Sequence, residues 1–458
     1  MRSWIMIKNK SYRFRFLLPV LSLLLVSVNL SSLLYAQPGK VVSAVMTEPV
    51  NRFIETKEQK KLSIGVANAN ITPSTPVVMA GYSARTGVFE GVNDSLYAAA
   101  TVFDDGDRRA VLITADLIGF TSEWWEELTE KIERETGILP AYVLLSPNHN
   151  HGGPNTRIHI QDSEIDEDLL TYNRNLMETF VSLTRKAAGN LQPALIGTGT
   201  GICKMNINRR ALNADGGLRL GLNPYGPVDH EVGVVRMDDI HGTPISIFVN
   251  WPSHATVMGS QNRMITGDWP GSARRFIEKE YPDPVIVTVT AGASGDINPI
   301  YREKPDFSRG ETEEIGIILG REVVQVAREI RTYPAGSIHA LQRVITLPGK
   351  KPASSWLPGV AYEPGPDQDI RLSLLRVGNI LFVGISGELF TEIGMNIKEL
   401  SPFKSTHVIT HCNGAGGYLV TDDAYSEGGY EVAVTRIMSG AEEAIINNLT
   451  EMFQKIIE

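Results

Sequence analysis

Cysteine is almost absent: Cys203 and Cys412 are the two in 458 residues. They lack the spacing of a metal knuckle or a redox motif, and sequence alone cannot bring them together as a disulfide. Positive charge is also short, 43 Lys and Arg against 52 Asp and Glu, for a net charge of −9. Such a surface repels phosphate backbones, which argues against nucleic acid as a partner. After residue 34 no stretch is apolar enough to span a bilayer. No internal repeat or low-complexity tract appears. No G-x-S-x-G elbow points to a serine hydrolase. The glycines of 413–417 are not followed by the Lys-Ser/Thr of a phosphate loop.

The first residues are informative. Arg2, Lys8, Lys10, Arg13 and Arg15 precede an apolar run over 17–34, and Ala36 stands at a small-residue cleavage position before Gln37. That is the layout of a signal peptide over 1–36, with an uncleaved anchor as the alternative. No cysteine at the junction invites lipidation. Cleavage would remove five cations and leave a charge of about −14. The expected location is periplasmic or secreted, with no stable membrane span after cleavage. Residues 37–61 read as a polar lead-in, and 62–458 as a single domain whose 42% hydrophobic content supports a packed core.

Short β-branched runs at 110–114, 142–145, 244–249, 284–290, 380–385 and 407–410 read as strands. Helical periodicity marks 122–136, ended by Gly137, and a second helix from Leu169 to Ala187, ended by Gly189. Further helices are expected at 272–280, 311–330, 390–400 and 441–457. The alternation predicts an α/β fold, a mixed β-sheet core covered by helices.

The chemistry lies in the segments that leave the strands. The run at 142–145 leads into Asn148-His149-Asn150-His151-Gly152-Gly153-Pro154, and 244–249 into Pro252-Ser253-His254. The run at 284–290 leads into Ser294-Gly295-Asp296-Ile297-Asn298-Pro299, and 380–385 into Ser386-Gly387-Glu388. Carboxyl ends of strands share an edge where ligands bind. Two imidazoles two residues apart, a third histidine and a carboxylate form a donor set suited to Zn2+, with an open position for an activated water. Taken singly, each has a plainer reading. His-Asn-His also suits a turn, His254 a half-buried core histidine, Glu388 a first-turn helix acid and Ser-Gly-Asp an Asx turn.

Several of these segments resemble the neutral/alkaline, non-lysosomal ceramidase family. Gly65-Val66 through Pro73 and Met79-Ala80-Gly81-Tyr82 are similar to the opening of its catalytic domain. Residues 148–154 are similar to its T-H-T-H-S-G-P, Asn206-Ile207-Asn208-Arg209 to its N-x-N-R, and 295–299 to its G-D-V-S-P. Cys412 through Tyr418, Tyr425 and Tyr430-Glu431 keep its tyrosine spacings. The resemblance covers most of 62–440. The immunoglobulin-like C-terminal domain of the longer ceramidases is not expected within the residues that follow it.

The resemblance implies zinc held by His149, His254, Glu388 and Tyr418, the last of these from the resemblance alone. His151 becomes the acid/base imidazole, and Arg209 and Tyr430 face the reacting carbonyl. Asp296 and Asn298 fall in the family's hexapeptide as further catalytic positions. Asn298 replaces a serine sometimes assigned as nucleophile; an amide cannot form an acyl-enzyme, so the implied route is amide hydrolysis by metal-activated water. The substrate expected is a small molecule or lipid, with a ceramide-like N-acyl compound first. The alternatives are a zinc hydrolase of acylated sugars or peptides and a non-catalytic periplasmic binding protein. Oligomeric state is not legible.

Overall fold

The computed structural model describes residues 61–158, 165–214, 216–301 and 309–457. Residues 1–36, read above as a signal peptide, nearly all of the lead-in and His159 lie outside the described residues. Eight strands form the larger sheet, in the order Ile286–Ala291, Pro244–Trp251, Glu231–Asp239, Gln192–Ile202, Ser63–Asn70, Tyr97–Asp104, Arg109–Ala115 and Val143–Pro147. The outermost pair at each edge is parallel and the others are antiparallel. A second sheet runs Ile338–Lys350, Pro364–Val377, Ile380–Ile385 and Ser405–Ile409, with only its last pair parallel.

Strand alternation decides the layers. In Arg109–Ala115, Val111 and Ile113 pack toward helices Ser122–Thr136 and Glu167–Gly189, while Ala110 and Leu112 pack toward the second sheet. That sheet contributes Val377, Ile380 and Phe382 to the layer between the sheets. Its Leu374, Leu381 and Val383 join helices Thr391–Leu400 and Ala441–Ile457 on the far side. Helices Asp268–Lys279 and Arg309–Glu329 cover the other end of the large sheet. The result is helix, sheet, sheet, helix: the expected mixed α/β class, with its core divided among these layers. Cys203 and Cys412 are buried free thiols in separate clusters. Among the described residues no helix is long and apolar enough to cross a membrane.

Two expectations shift. The helix expected from 272 starts at Asp268, because Pro270 falls in its first turn, where a proline costs no hydrogen bond. The strand Gln192–Ile202, not among the expected strands, carries Gly197, Gly199 and Gly201. A Cβ on any of them would come within 3.0 Å of Arg331, Ile330, Val326 or Glu322, so these glycines let the Arg309–Glu329 helix region lie against the sheet.

The strand ends converge because the large sheet curls until its two edge strands approach each other. The loop leaving Ser405–Ile409 bonds to both. Thr410 N donates to Ala291 O at 3.1 Å, and Asn413 N donates to Leu145 O at 3.0 Å. Asn413 Oδ1 accepts from Leu145 N at 2.7 Å, and its Nδ2 donates to Val143 O at 3.1 Å. A side-chain amide thus satisfies an edge that would otherwise need another strand.

Candidate metal centre and catalytic cleft

The His149 loop is fastened before any ligand is considered. Asn148 Nδ2 donates to buried Asp116 Oδ1 at 2.7 Å; Asn150 Nδ2 donates to Thr266 O at 2.7 Å and Asp116 O at 3.1 Å. Between these anchors His149 takes a left-handed backbone, φ 59°. His411 (φ 56°) and Asn413 (φ 63°) do the same across the cleft. Non-glycine residues in this region store strain of order 1–3 kcal/mol each, which the surrounding hydrogen bonds must hold.

His149 Nδ1 donates to Ile118 O and His254 Nδ1 to Ile297 O, both at 3.0 Å. Carbonyls only accept, so each neutral ring carries its proton on Nδ1 and presents a lone pair at Nε2. Both Nε2 atoms lie 3.6 Å from the same oxygen, Glu388 Oε2. That buried oxygen accepts no hydrogen bond from any described residue. Burial alone would raise the Glu388 pKa, yet His149, His254, His411 and Arg157 together hold it well below the usual carboxylate range. Burial keeps the imidazoles of His149, His151 and His411 neutral, far below the ordinary histidine value. Two imidazole lone pairs oriented by carbonyls and one orphaned carboxylate oxygen fit a divalent ion of the zinc type. Glu388 lies in the two-residue strand Glu388–Leu389, before the helix at Thr391, so its environment is this cleft and not a helix dipole.

Tyr418 reaches the centre by register. Glu388–Leu389 pairs in parallel with Tyr418–Leu419, and Glu388 stands opposite Tyr418. The phenol accepts from Arg209 Nη2 at 3.0 Å, and burial raises its pKa well above the ordinary value although Arg209 opposes this. Arg209 in turn donates from Nε to Glu431 Oε1 at 2.7 Å, and from Nη1 to His254 Nε2 at 3.2 Å and Asn298 Oδ1 at 3.3 Å. Glu431 Oε2 also takes Arg210 Nη1 at 3.1 Å. His151 Nε2 lies 3.2 Å from His149 Nε2.

Eight of the nine expected site residues line one cleft of about 1010 Å3. Asp296 is the exception and lines a neighbouring cavity of about 520 Å3. Its Oδ1 accepts from Thr391 N at 2.9 Å and its Oδ2 from Asn208 Nδ2 at 2.8 Å, so it ties the strand Asn206–Leu212 to the start of a helix. Burial pushes its pKa up to about 7. Ser294 is buried and off the cleft wall as well. Three contacts of the centre escaped the sequence reading. His411 stacks on His149 with centroids 3.8 Å apart and planes at 10°, Arg157 touches both Glu388 and His411, and Glu431 anchors Arg209. The signal for His411 was present: it comes directly after a strand, like the other donors.

The sequence profile described as neutral/alkaline non-lysosomal ceramidase, N-terminal, matches residues 62–301, more than half of the sequence. The chain belongs to the neutral/alkaline non-lysosomal ceramidase family. Neutral ceramidase B of Dictyostelium discoideum is 28% identical over 272 residues, 56% of this chain and 38% of that protein. The neutral ceramidase of Pseudomonas aeruginosa is 24% identical over 302 residues, 61% of this chain and 44% of that protein. The matches thus span less than half the length of these curated relatives. The crystal structure of the Pseudomonas aeruginosa neutral ceramidase superposes with a TM-score of 0.72 at 17% identity, over 87% of this chain and 75% of that one. The ceramidase fold is therefore shared.

In this member of the ceramidase family Gly81 adopts φ 101°, and a Cβ there would come 2.3 Å from His151 Nδ1. Arg85 fixes the same loop, donating to Ala80 O and, at 2.7 Å, to His151 O. Gly81→Ala is expected to displace the His151 ring and, where that ring takes part in catalysis, to lower kcat by about 10²-fold, the cost of a misplacement of roughly 1 Å. Bound metal should not change. Kinetics beside elemental analysis would check this, and a fall in metal content would assign Gly81 to the metal site instead.

Proposed function

We propose that the protein is an exported zinc-dependent amidohydrolase that cleaves the amide of an N-acyl substrate, with ceramide-like lipids as the first substrate class. The observation that carries this reading is the convergence of two imidazole lone pairs on the orphaned Glu388 oxygen, inside a cleft that also holds Arg209, Tyr430 and His151. Family membership supports the reaction class, and the leader at 1–36 supports export.

His149, His254 and Glu388 would hold the ion, with the Tyr418 phenol as a fourth donor. Zinc there supplies a Lewis acid and lowers the pKa of water. The protein's own groups do the rest. Burial raises the Tyr430 pKa, so its hydroxyl stays protonated and can donate to the carbonyl oxygen as negative charge develops. Arg209 is held by Glu431, Asn298 and Tyr418, and brings positive charge to the same wall without having to reorganise. His151 is neutral and adjoins His149, so it can take the proton that the attacking water loses and then pass it to the leaving amine.

Asn298 contributes an acceptor to Arg209 and cannot form an acyl-enzyme. Asn298→Ala is therefore expected to retain activity within about tenfold, the loss of roughly one hydrogen bond. An abolished reaction in a folded Asn298→Ala would overturn that assignment. The reading as a whole is tested on the purified chain with a short fluorescent N-acyl-sphingosine. One zinc per chain and turnover abolished by chelation, then restored by zinc, would support it. Absence of bound zinc after reconstitution would end it.

Asn155, Gln368 and Arg436 also line the cleft and favour a second reading, in which the acylated partner is a polar amine such as an amino sugar or peptide. Zinc-dependent cleavage of those substrates without turnover of N-acyl-sphingosine would select it.

A further inference from the structure

Arg157 and His411 belong to the centre by position but have no part in the hydrolysis described above. Arg157 leaves the His149 loop through an Asx turn, its N donating to Asn155 Oδ1 at 3.1 Å. Its guanidinium makes three contacts around the ligands. Nη1 and Nη2 each lie 3.4 Å from Glu388 Oε1, Nη2 lies 3.2 Å from His411 Nδ1, and Nη2 lies 3.5 Å from Ile118 O. Ile118 O is the same carbonyl that orients His149. A Cβ on Gly119 would come 2.7 Å from Arg157 Nε, so the backbone beside the centre leaves space for this side chain.

A carboxylate oxygen, an imidazole nitrogen and a carbonyl oxygen around one cation are what a metal ion would also accept. His149, Glu388 and His411 bring donor atoms within 4.8 Å of one another, a second triad beside the one formed by His149, His151 and His254. Arginine only donates, so its contact makes His411 Nδ1 an acceptor and leaves the proton of the neutral ring on Nε2. That Nε2 is buried and meets no acceptor among the described residues. In this tautomer His411 Nε2 carries the proton and its Nδ1 lone pair is engaged by Arg157, as the His254 Nε2 lone pair is by Arg209. The ring is left to stack on His149 at 3.8 Å.

We propose that Arg157 is a positioning residue that confines the centre to one metal ion, its guanidinium occupying the gap between Glu388 Oε1 and His411 Nδ1 that a second ion would take. Arg157 also steers Glu388, since an oxygen held by the guanidinium leaves Oε2 as the one turned to His149 and His254. The inference rests on the reading that those three residues bind metal.

The test is metal stoichiometry and affinity in the purified full chain, with zinc titrated against a competing chelator and cobalt(II) absorption as a report on coordination. Wild type is expected to bind one ion. Arg157→Ala is expected to bind that ion about 10- to 100-fold more weakly, as for loss of a group that orients a ligand, and to take up a second, weaker ion with a changed cobalt spectrum. Arg157→Ala combined with His411→Asn should lose the second ion. Arg157→Lys, which keeps a cation in place, should stay at one. A folded Arg157→Ala that binds one ion with wild-type affinity and spectrum would overturn the proposal, as would two ions in wild type. A wild type that binds none would instead overturn the metal-centre reading beneath it.

Discussion

His149→Ala is expected to lower amide hydrolysis by at least about 10³-fold, because Lewis-acid stabilisation by a metal is worth several kcal/mol and each 1.36 kcal/mol is tenfold in rate. His149 stands at the middle of the donor set, 3.6 Å from the Glu388 oxygen, 3.2 Å from His151 and stacked on His411. Without it His254, Glu388 and the Tyr418 phenol remain, and three donors would hold an ion less well than four. The backbone complicates this variant. Alanine at φ 59° costs roughly 1–2 kcal/mol, whereas asparagine tolerates that region. His149→Asn is therefore the cleaner partner, and both should lose metal and turnover together while circular dichroism stays native. Substantial activity with no bound metal in either variant would mean that the chemistry does not depend on the ion.

A stability loss of about 3–5 kcal/mol is expected for Glu431→Ala. The Glu431 carboxylate is 1% exposed and receives both Arg209 and Arg210, at 2.7 and 3.1 Å. Removing it leaves two buried guanidinium groups short of their counter-charge. Arg210 keeps Glu427 at 2.9 Å, but Arg209 retains only neutral partners. Glu431→Gln, which preserves an acceptor, should lose less. Denaturant midpoints at unchanged slope would measure the difference, and a change below about 1 kcal/mol would show that the pair contributes little. Hydrolysis should fall as well, since Arg209 would no longer be pinned beside Tyr418.

Some of this architecture was readable in the chain. Helix Ser122–Thr136 declares itself through its helical periodicity and its stop at Gly137. His149, His254 and Glu388 stand out because each comes after an apolar run that ends at one edge of a covered sheet. Tyr418 does not, since its place opposite Glu388 is set by a strand register thirty residues away in sequence, which no local pattern encodes. His407 and His411 show the limit well. The first lies between Phe248 and Phe382 in the layer between the sheets, the second against His149, and four residues of sequence do not distinguish them. Arg157 stands in no motif of the sequence, and its place emerges only when Gly119 and Glu388 are brought beside it. The second sheet was legible only through Ile380–Ile385 and part of Ser405–Ile409. Its longer strands, Ile338–Lys350 and Pro364–Val377, mix charges and prolines with their apolar positions.

The two histidines oriented by carbonyls come from residues 149 and 254, whereas Glu388, His411, Tyr418 and Glu431 all come from the last quarter of the sequence. A nascent chain therefore carries these imidazoles long before the carboxylate that faces them. Until the final strands and helices emerge, the cleft has no carboxylate and Arg209 no counter-charge. The full donor set exists only in a nearly finished protein, and a ribosome stalled after residue 301 would release a recognisable ceramidase-type segment without a complete centre.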